Sequence, residues 1–421
     1  MKHLFTMLVL VGLLGVLAHQ PANAEPWLAV KKGLKCMVCH TNPTGGGKRN
    51  VYGNIFAQNE LAARRIEIPE LTTTSAGGAT GFGHEYWTGE LNRFLSIGGD
   101  LRNNYTYTDI PNRDNTSEFD TEEVLLYVDF SLIPGRLSLY IDEKVAPGGA
   151  ENREAYALFW MRDNTIYLKA GKMFLPYGFR LEDDTAFIRR VPGINYQTPD
   201  NGVEAGLEVD AWTINFAITN GSAGGSETDD GKQYSLLGSY TSERWRIGSS
   251  LNYNDLDGGD RKMGNIFAGL RTGPVNWLGE VDFIRDEGTP TGERDMWVGL
   301  IEASWLITKG LNLKLTGEYF EPDTDVSNDD QSRGSIVVDT LRSSSSSSMR
   351  ATATPMAYRK MISRTSTNIS WSYTGFSSRH RFTPGLVPAS VDTPLQKAYP
   401  LPVCVPLVSV CGHRGRLMPF S

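Results

Sequence analysis

Cys36 and Cys39 are separated by two residues and followed at once by His40. That order suits one chemistry well. Two thiols add across the two vinyl groups of a porphyrin, and the imidazole that follows is held under the iron as an axial ligand. The rivals use the same atoms less completely. Zinc needs a second ligand pair at matching spacing, and none follows nearby. A redox dithiol needs a βαβ setting, and none is visible. The expectation is one covalent haem c on Cys36 and Cys39, with His40 as the axial ligand. An unclaimed pair would close into a disulfide in an oxidising compartment.

The residues after His40 suit a pocket for a flat ligand. Gly45, Gly46 and Gly47 lack side chains, so backbone can lie close to a porphyrin face. Pro43 fixes a turn, and its carbonyl is placed to accept from the other nitrogen of the imidazole. Lys48 and Arg49 are cations suited to the haem carboxylates, or else solvated surface charges. For the sixth iron position the leading residue is His84, just ahead of the first strand; His380 and His413 lie far along the chain. Met37 sits inside the attachment loop, and Met173 qualifies only if the haem enters the rest of the fold. An open sixth position is the alternative, and would suit small-molecule binding better than electron transfer.

The elements that position this motif begin with a leader. Lys2 and His3 precede an apolar run from Leu4 to Ala18, and Ala22-Asn23-Ala24 has the small-x-small form of a cleavage site. Residues 1–24 therefore read as a signal peptide. No later stretch approaches the roughly 18 apolar residues a membrane helix needs. A net charge of −7 argues against a nucleic-acid partner. The 44 glycines and 10% aromatics are a sheet-and-turn composition.

From Tyr86 the pattern alternates. Leu126, Val128, Phe130 and Leu132 form one apolar face; Trp212, Ile214, Phe216 and Ile218 another; Leu311, Leu313 and Leu315 a third. Period two with one apolar face is strand, in segments long enough to cross an outer membrane at a tilt. Connections alternate between tight turns (at Pro134-Gly135, Asp163-Asn164, Asp210, Ser242-Glu243, Thr272-Gly273 and Lys309-Gly310) and longer polar stretches at 108–119, 146–152, 180–201, 221–231, 255–261, 286–294 and 321–333. Outer-membrane barrels have short periplasmic turns and long outer loops, a rhythm that a soluble β-sandwich does not need. The count is about thirteen strands by residue 320 and a fourteenth from Gly334. The fold class is mainly β: a transmembrane antiparallel β-barrel over 86–340, with a small N-terminal haem segment over 25–85 on the periplasmic side.

Within the barrel, "GKMFLPYGFRLEDDTAFIRR" (171–190) resembles the strand-and-loop segment of the phosphate-selective porin family, whose loops fold inward to line a constriction. The resemblance implies about sixteen strands with a polar lumen. It makes Lys169, Lys172, Arg180, Arg189 and Arg190 candidate pore cations, partly offset by Glu182, Asp183 and Asp184. Leader, haem motif and barrel together resemble the cytochrome–porin fusions of bacterial outer membranes. The implied role is electron transfer at the periplasmic face or through the pore, with periplasmic cytochromes or other redox carriers as partners and outer-membrane lipid as surroundings. The alternative is a porin for small solutes, anionic ones included, with the haem segment as plug or redox sensor. A haem peroxidase ranks last, because only His84 offers a distal acid–base group.

Residues 341–421 break the pattern. They hold a six-serine run (Ser343–Ser348), ten Lys or Arg and one acid, Asp392, against 31 basic and 47 acidic residues before them. Cys404 and Cys411 fall here. A shifted reading frame accounts for the break; a disordered extension is the bland alternative. Sequencing the gene across the codon for Asp339 should reveal a single-base slip, and an unbroken frame shared by close relatives would overturn this.

Overall fold

The structure is a computed structural model. It describes residues 25–63, 82–83, 86–108, 116–256, 258–288, 292–341, 348–358 and 366–372. All of these lie in one compact unit, Met1–His380; the second unit, Arg381–Ser421, lies outside the described residues, as do the leader and His84.

Fourteen strands form one antiparallel meander: β1 (Leu95–Thr108), β2 (Thr116–Ile133), β3 (Leu137–Ala146), β4 (Glu151–Met161), β5 (Ile166–Met173), β6 (Asp200–Val209), β7 (Trp212–Thr219), β8 (Gln233–Thr241), β9 (Trp245–Leu256), β10 (Gly259–Thr272), β11 (Val275–Glu287), β12 (Arg294–Thr308), β13 (Leu311–Glu321) and β14 (Gln331–Leu341). Thirteen end by Glu321, matching the count from sequence. Backbone ladders at Ser348–Tyr358 and Ser366–Ser372 carry the sheet round to β1, where Ser370 and Trp371 face Thr106 and Tyr105. The tight turns fall where expected; Arg162, Asp163 and Asn164 all take positive φ in one of them. One difference stands out. The stretch 255–261 is no long loop, because Asp255 pairs with Asp260 and Leu256 with Gly259, so β9 and β10 stay paired to their ends.

The apolar stripe faces outward. Leu126, Phe130, Leu132, Ile214, Phe216, Leu251, Ile266, Ile301 and Leu315 are all exposed. Trp212, Trp245, Trp277 and Trp305 lie toward the tight-turn ends of their strands, and Tyr234, Tyr253, Phe283, Trp297 and Tyr319 toward the opposite ends. An apolar belt between two aromatic girdles is the surface of a barrel in lipid, with ring edges at the two interfaces. No described helix is long and apolar enough to cross a membrane.

The lumen is filled rather than open. From the tight-turn end enters α1 (Pro26–Lys32), with proline at the helix start and Gly33 closing it in the left-handed conformation. A hairpin-like turn follows, bridged at His40 and Arg49, and then α2 (Val51–Phe56), capped by the Asn50 side chain on the Gly53 N–H. From the other end the long β5–β6 connection folds inward and carries the short helix α3 (Phe187–Arg190). Trp27, Leu28, Val30, Ala57 and Leu61 of the first segment, and Leu175, Phe179, Phe187 and Ile188 of the loop, share one apolar core with the inward-facing Phe267, Leu278, Met296 and Val298.

Ile301 lies four residues from both Trp297 and Trp305 and is 59% exposed. Ile301→Lys should cost about 2–4 kcal/mol of folding free energy in a bilayer, measured by denaturant titration in lipid vesicles. A loss below about 0.5 kcal/mol would mean that this face does not meet hydrocarbon.

Candidate haem site in the lumen

The segment 25–63 is seated along the inner wall by specific bonds. At the tight-turn rim the Arg271 guanidinium donates to the Lys31 carbonyl (2.7 Å), Lys309 Nζ to the Asn59 carbonyl (2.7 Å) and the Gly310 N–H to the Leu61 carbonyl (2.7 Å). Lys35 pairs with Glu208 (2.9 Å), and Lys314 with Glu25 (3.0 Å). Deeper in, Asn42 Nδ2 donates to both oxygens of Glu154 (3.0 and 3.1 Å), while Tyr140 Oη accepts from the Lys48 N–H (2.9 Å). The hairpin tip meets the inward loop. Arg180 donates to Thr44 Oγ1 (2.9 Å) and to the Gly45 carbonyl, and a Cβ on Gly46 would lie 3.2 Å from the Tyr196 ring.

Cys36, Cys39 and His40 line one cavity between the plug, the inward loop and the barrel wall. Its apolar wall includes Leu28, Phe56, Leu61, Phe179 and Leu237. Cys36 starts a 3-10 turn, Cys36–Val38, that Cys39 caps, and both thiols are free. His40 is buried, and its Nδ1–H donates to the Gly46 carbonyl (2.9 Å), so Gly46 and not Pro43 fixes the ring. Nε2 is left as the nitrogen for a metal. Burial, reinforced by the Arg49 charge, pushes His40 down to about 3, so the imidazole is neutral, the form that ligates. Burial and the nearby Cys36 raise the Cys39 thiol to about 11.

The glycine triplet has a definite structural cause. Gly45, Gly46 and Gly47 all take positive φ (89°, 80° and 58°). A Cβ on Gly45 would sit 3.2 Å from Cys36 Cβ, and one on Gly47 only 2.4 Å from Tyr140 Oη. The triplet therefore lets backbone press against Cys36 on one side and the barrel wall on the other; Gly47 faces Tyr140 rather than the main cavity. Arg49 lines the cavity with its Nη2 unpartnered, whereas Lys48 turns its ammonium to the Arg49 carbonyl (3.1 Å) and the Asp129 charge. Among the described residues no second histidine and no methionine lines this cavity. Met173 is buried among Tyr140, Tyr156 and Tyr167 in the wall. Nor does any set of three His, Cys, Asp or Glu converge among them as a zinc site would require.

The five pore cations do not gather. Lys169 is 1% exposed and ion-paired with Glu204 (3.0 Å). Lys172 lies on the opposite strand face and donates to the Asn152 carbonyl (2.7 Å). Arg180 lines the haem-site cavity, Arg189 is buried in α3 over Tyr196, and Arg190 is exposed. Tyr140, Glu154, Tyr196 and Arg246 were not singled out from sequence. The parity of β9 held a signal for the last: Trp245 and Ile247 face out, so Arg246 must face in.

The residues present thus fit a covalent tetrapyrrole: two free thiols, a neutral imidazole held by one nitrogen, an apolar wall and an orphaned guanidinium nitrogen. Gly47→Ala should dislodge the hairpin by its clash with Tyr140 and its strained φ, exposing 25–63 to protease several-fold faster; unchanged protection would show that the hairpin is not seated there.

No model of a known protein family matches the chain, and no curated protein matches it. Among solved structures, the anion-selective porin from Comamonas acidovorans is 11% identical at a TM-score of 0.49, covering 66% of this chain and 94% of that one. The outer-membrane protein OmpT of Vibrio cholerae is 11% identical at a TM-score of 0.47, covering 66% of this chain and 98% of that one. A mutant of Rh. blastica porin is 7% identical at a TM-score of 0.44, covering 66% of this chain and 99% of that one.

Proposed function

We propose that this chain is a plugged barrel of the bacterial outer membrane that holds one covalent haem c inside its lumen and passes electrons across the membrane. The observation that carries the reading is the position of Cys36, Cys39 and His40. They line one cavity, with an apolar wall, where the segment rising from the tight-turn end meets the loop descending from the other. A haem bound there supplies reversible one-electron exchange at iron. The chain's own residues do the rest. Cys36 and Cys39 fix the group covalently, His40 presents Nε2, and the apolar wall excludes water.

The depth of the site matters. A barrel's apolar band is about 25 Å tall, more than one haem at a rim could bridge. Cys36 lies beside Arg246, one residue from Trp245 of the tight-turn girdle, so a haem there is within reach of a periplasmic redox protein at that rim and leaves the rest of the band to a partner or a soluble carrier on the loop side. The proposed role is not enzymatic; periplasmic cytochromes or other redox carriers are the partners.

The second reading is a porin for small solutes in which 25–63 is a movable plug. One observation favours it: apart from its apolar core, the segment is held by hydrogen bonds and ion pairs rather than covalent links. The flank beside Glu25 carries a further small cavity lined by Glu182, Asp183, Glu302, Lys314 and Glu318.

The absorption spectrum of the purified protein, with haem staining after denaturing electrophoresis, separates these readings. Electron transfer expects a covalent c-type signal, abolished in Cys36→Ala/Cys39→Ala, with reversible reduction and little ion conductance in a bilayer. A haem-free protein with large, steady conductance would replace it with the solute reading.

A further inference from the structure

The tight-turn mouth of the lumen carries charge opposite in sign to the chain around it. The first 340 residues hold 31 basic and 47 acidic side chains. Around the plug at this mouth the balance reverses. Lys31 and Lys32 end α1, Arg271 reaches in from the β10 side, Lys309 from the β12–β13 turn, and Arg244 stands in the β8–β9 turn. That last turn lies directly on the plug, for a Cβ on Gly33 would come 2.6 Å from Glu243 Cα.

Among the described residues these five cations meet two carboxylates, Glu243 in the same turn as Arg244 and Glu60, which is bound to Lys32 (2.8 Å). Arg271 and Lys309 donate to neutral acceptors, the carbonyls of Lys31 and Asn59 (2.7 Å each), so those contacts cancel no charge. Burial and then the charge of Lys32 push the Lys31 ammonium below the usual lysine range, with Arg271 and Lys309 adding to the effect and Glu60 opposing it. The carbonyl end of α1 favours one cation beside it, which Arg271 supplies. Lys32, Arg244 and Lys309 remain exposed to solvent. The loop end has the other sign: residues 321–330 hold Glu321, Asp323, Asp325, Asp329 and Asp330 and no cation.

We propose that this basic mouth is the docking surface for the periplasmic electron-transfer partner, and that the partner presents an acidic face to it. The proposal rests on the haem reading above. Lys32 stands three residues, about 4.5 Å of helix, from Ala29, which lines the haem-site cavity. An acidic protein seated on the patch is therefore held over the plug close to the site. One electron passes between the haem iron and the partner's redox group, one oxidised as the other is reduced, with no bond made or broken. Complementary charge acts mainly on the rate of encounter and the choice of partner. That suits a carrier that must leave after each exchange. The same patch repels a basic carrier.

The experiment uses the full-length protein purified in nonionic detergent, as wild type, K32E/R244E and, at the loop end, D325K/E293K. The probes are a basic soluble cytochrome c and the same cytochrome with its lysines succinylated, which makes it acidic. The rate of electron exchange with each is read by stopped flow as salt is raised from about 10 to about 300 mM, which shortens the reach of charge from about 30 Å to under 10 Å. Retention of each probe by the immobilised protein is read separately. With wild type the acidic probe should slow at least tenfold as salt rises, whereas the basic probe should not slow. K32E/R244E should lose that slowing and its retention of the acidic probe while keeping wild-type protease protection of 25–63. D325K/E293K should behave as wild type toward the acidic probe. A wild-type rate with the acidic probe that is indifferent to salt, or a K32E/R244E protein indistinguishable from wild type, would overturn the docking surface and leave the haem reading intact. A wild-type protein without covalent haem would overturn the haem reading and with it the electron-transfer partner, whatever its retention of the acidic probe.

Discussion

An inner wall that is apolar cannot be left to water, and this constraint governs the rest of the molecule. On the side formed by β8 to β12, Leu237, Met263, Phe267, Leu278, Ile284, Met296, Val298 and Leu300 all point into the barrel and are buried. They would be wetted in an open channel, at roughly 1.5–3 kcal/mol for each large side chain. Trp27, Leu28 and Val30 of α1 cover them from one end, and Leu175 to Ile194 of the inward loop from the other. The opposite wall, β2 to β6, is of another kind. Tyr140, Asp142, Glu154, Lys169 and Glu204 line it, and there the hairpin is seated by hydrogen bonds. The lumen is therefore two-sided: one side receives a helix by packing, the other a turn by polar recognition.

That division places the chemistry. Residues 36–40 lie between the packed helix and the bonded hairpin, where neither seat fills the space, and a cavity results. The imidazole there is kept neutral by burial and by the neighbouring cation of Arg49, while its orientation comes from the Gly46 carbonyl, which the left-handed glycines bring round. The same three glycines serve hairpin shape, contact with Cys36 and contact with Tyr140. A site assembled this way depends on the barrel; the segment alone has too little apolar surface to hold its form.

The outward face was legible in the sequence because lipid imposes a uniform demand. Alternation at Leu126–Leu132 and Trp212–Ile218 reads directly, as do glycine and Asn/Asp turns. The inner face carries no such rule, since its composition answers to whatever fills it. Hence Lys169 reads as a pore cation yet is a wall residue paired with Glu204, and Arg246 escapes notice between two outward aromatic and aliphatic side chains. The stretch 255–261 reads as loop because its residues are polar, but beyond the lipid belt strands are free to be polar and the ladder simply continues. The Cys-x-x-Cys-His spacing suggests haem attachment from local sequence alone. The side chains that contact the segment come from residues more than a hundred positions away, such as Glu154, Arg180 and Arg246, which no local pattern could supply.

The plug also bears on how the wall holds its shape. Its bonds reach Tyr140 on β3, Glu154 on β4, the Trp212 carbonyl at the start of β7, Arg271 on β10, the turn before β13 and Lys314 on β13. These attachments span the arc from β3 to β13, so strand shear along that arc would have to break several of them together. The seam at β1 is different. There the pairing to Ser370 and Trp371 amounts to two facing residues among those described, against a ladder from Leu95 to Thr108 between β1 and β2 that is interrupted only by a register shift at Arg102 and Asn103. Unpaired backbone in lipid costs several kcal/mol for each group, and an internal brace that fixes curvature from β3 to β13 keeps the two edges close enough to meet. The segment that carries the chemistry is thus also a structural member of the barrel. Any motion that opened the lumen would loosen the wall as well.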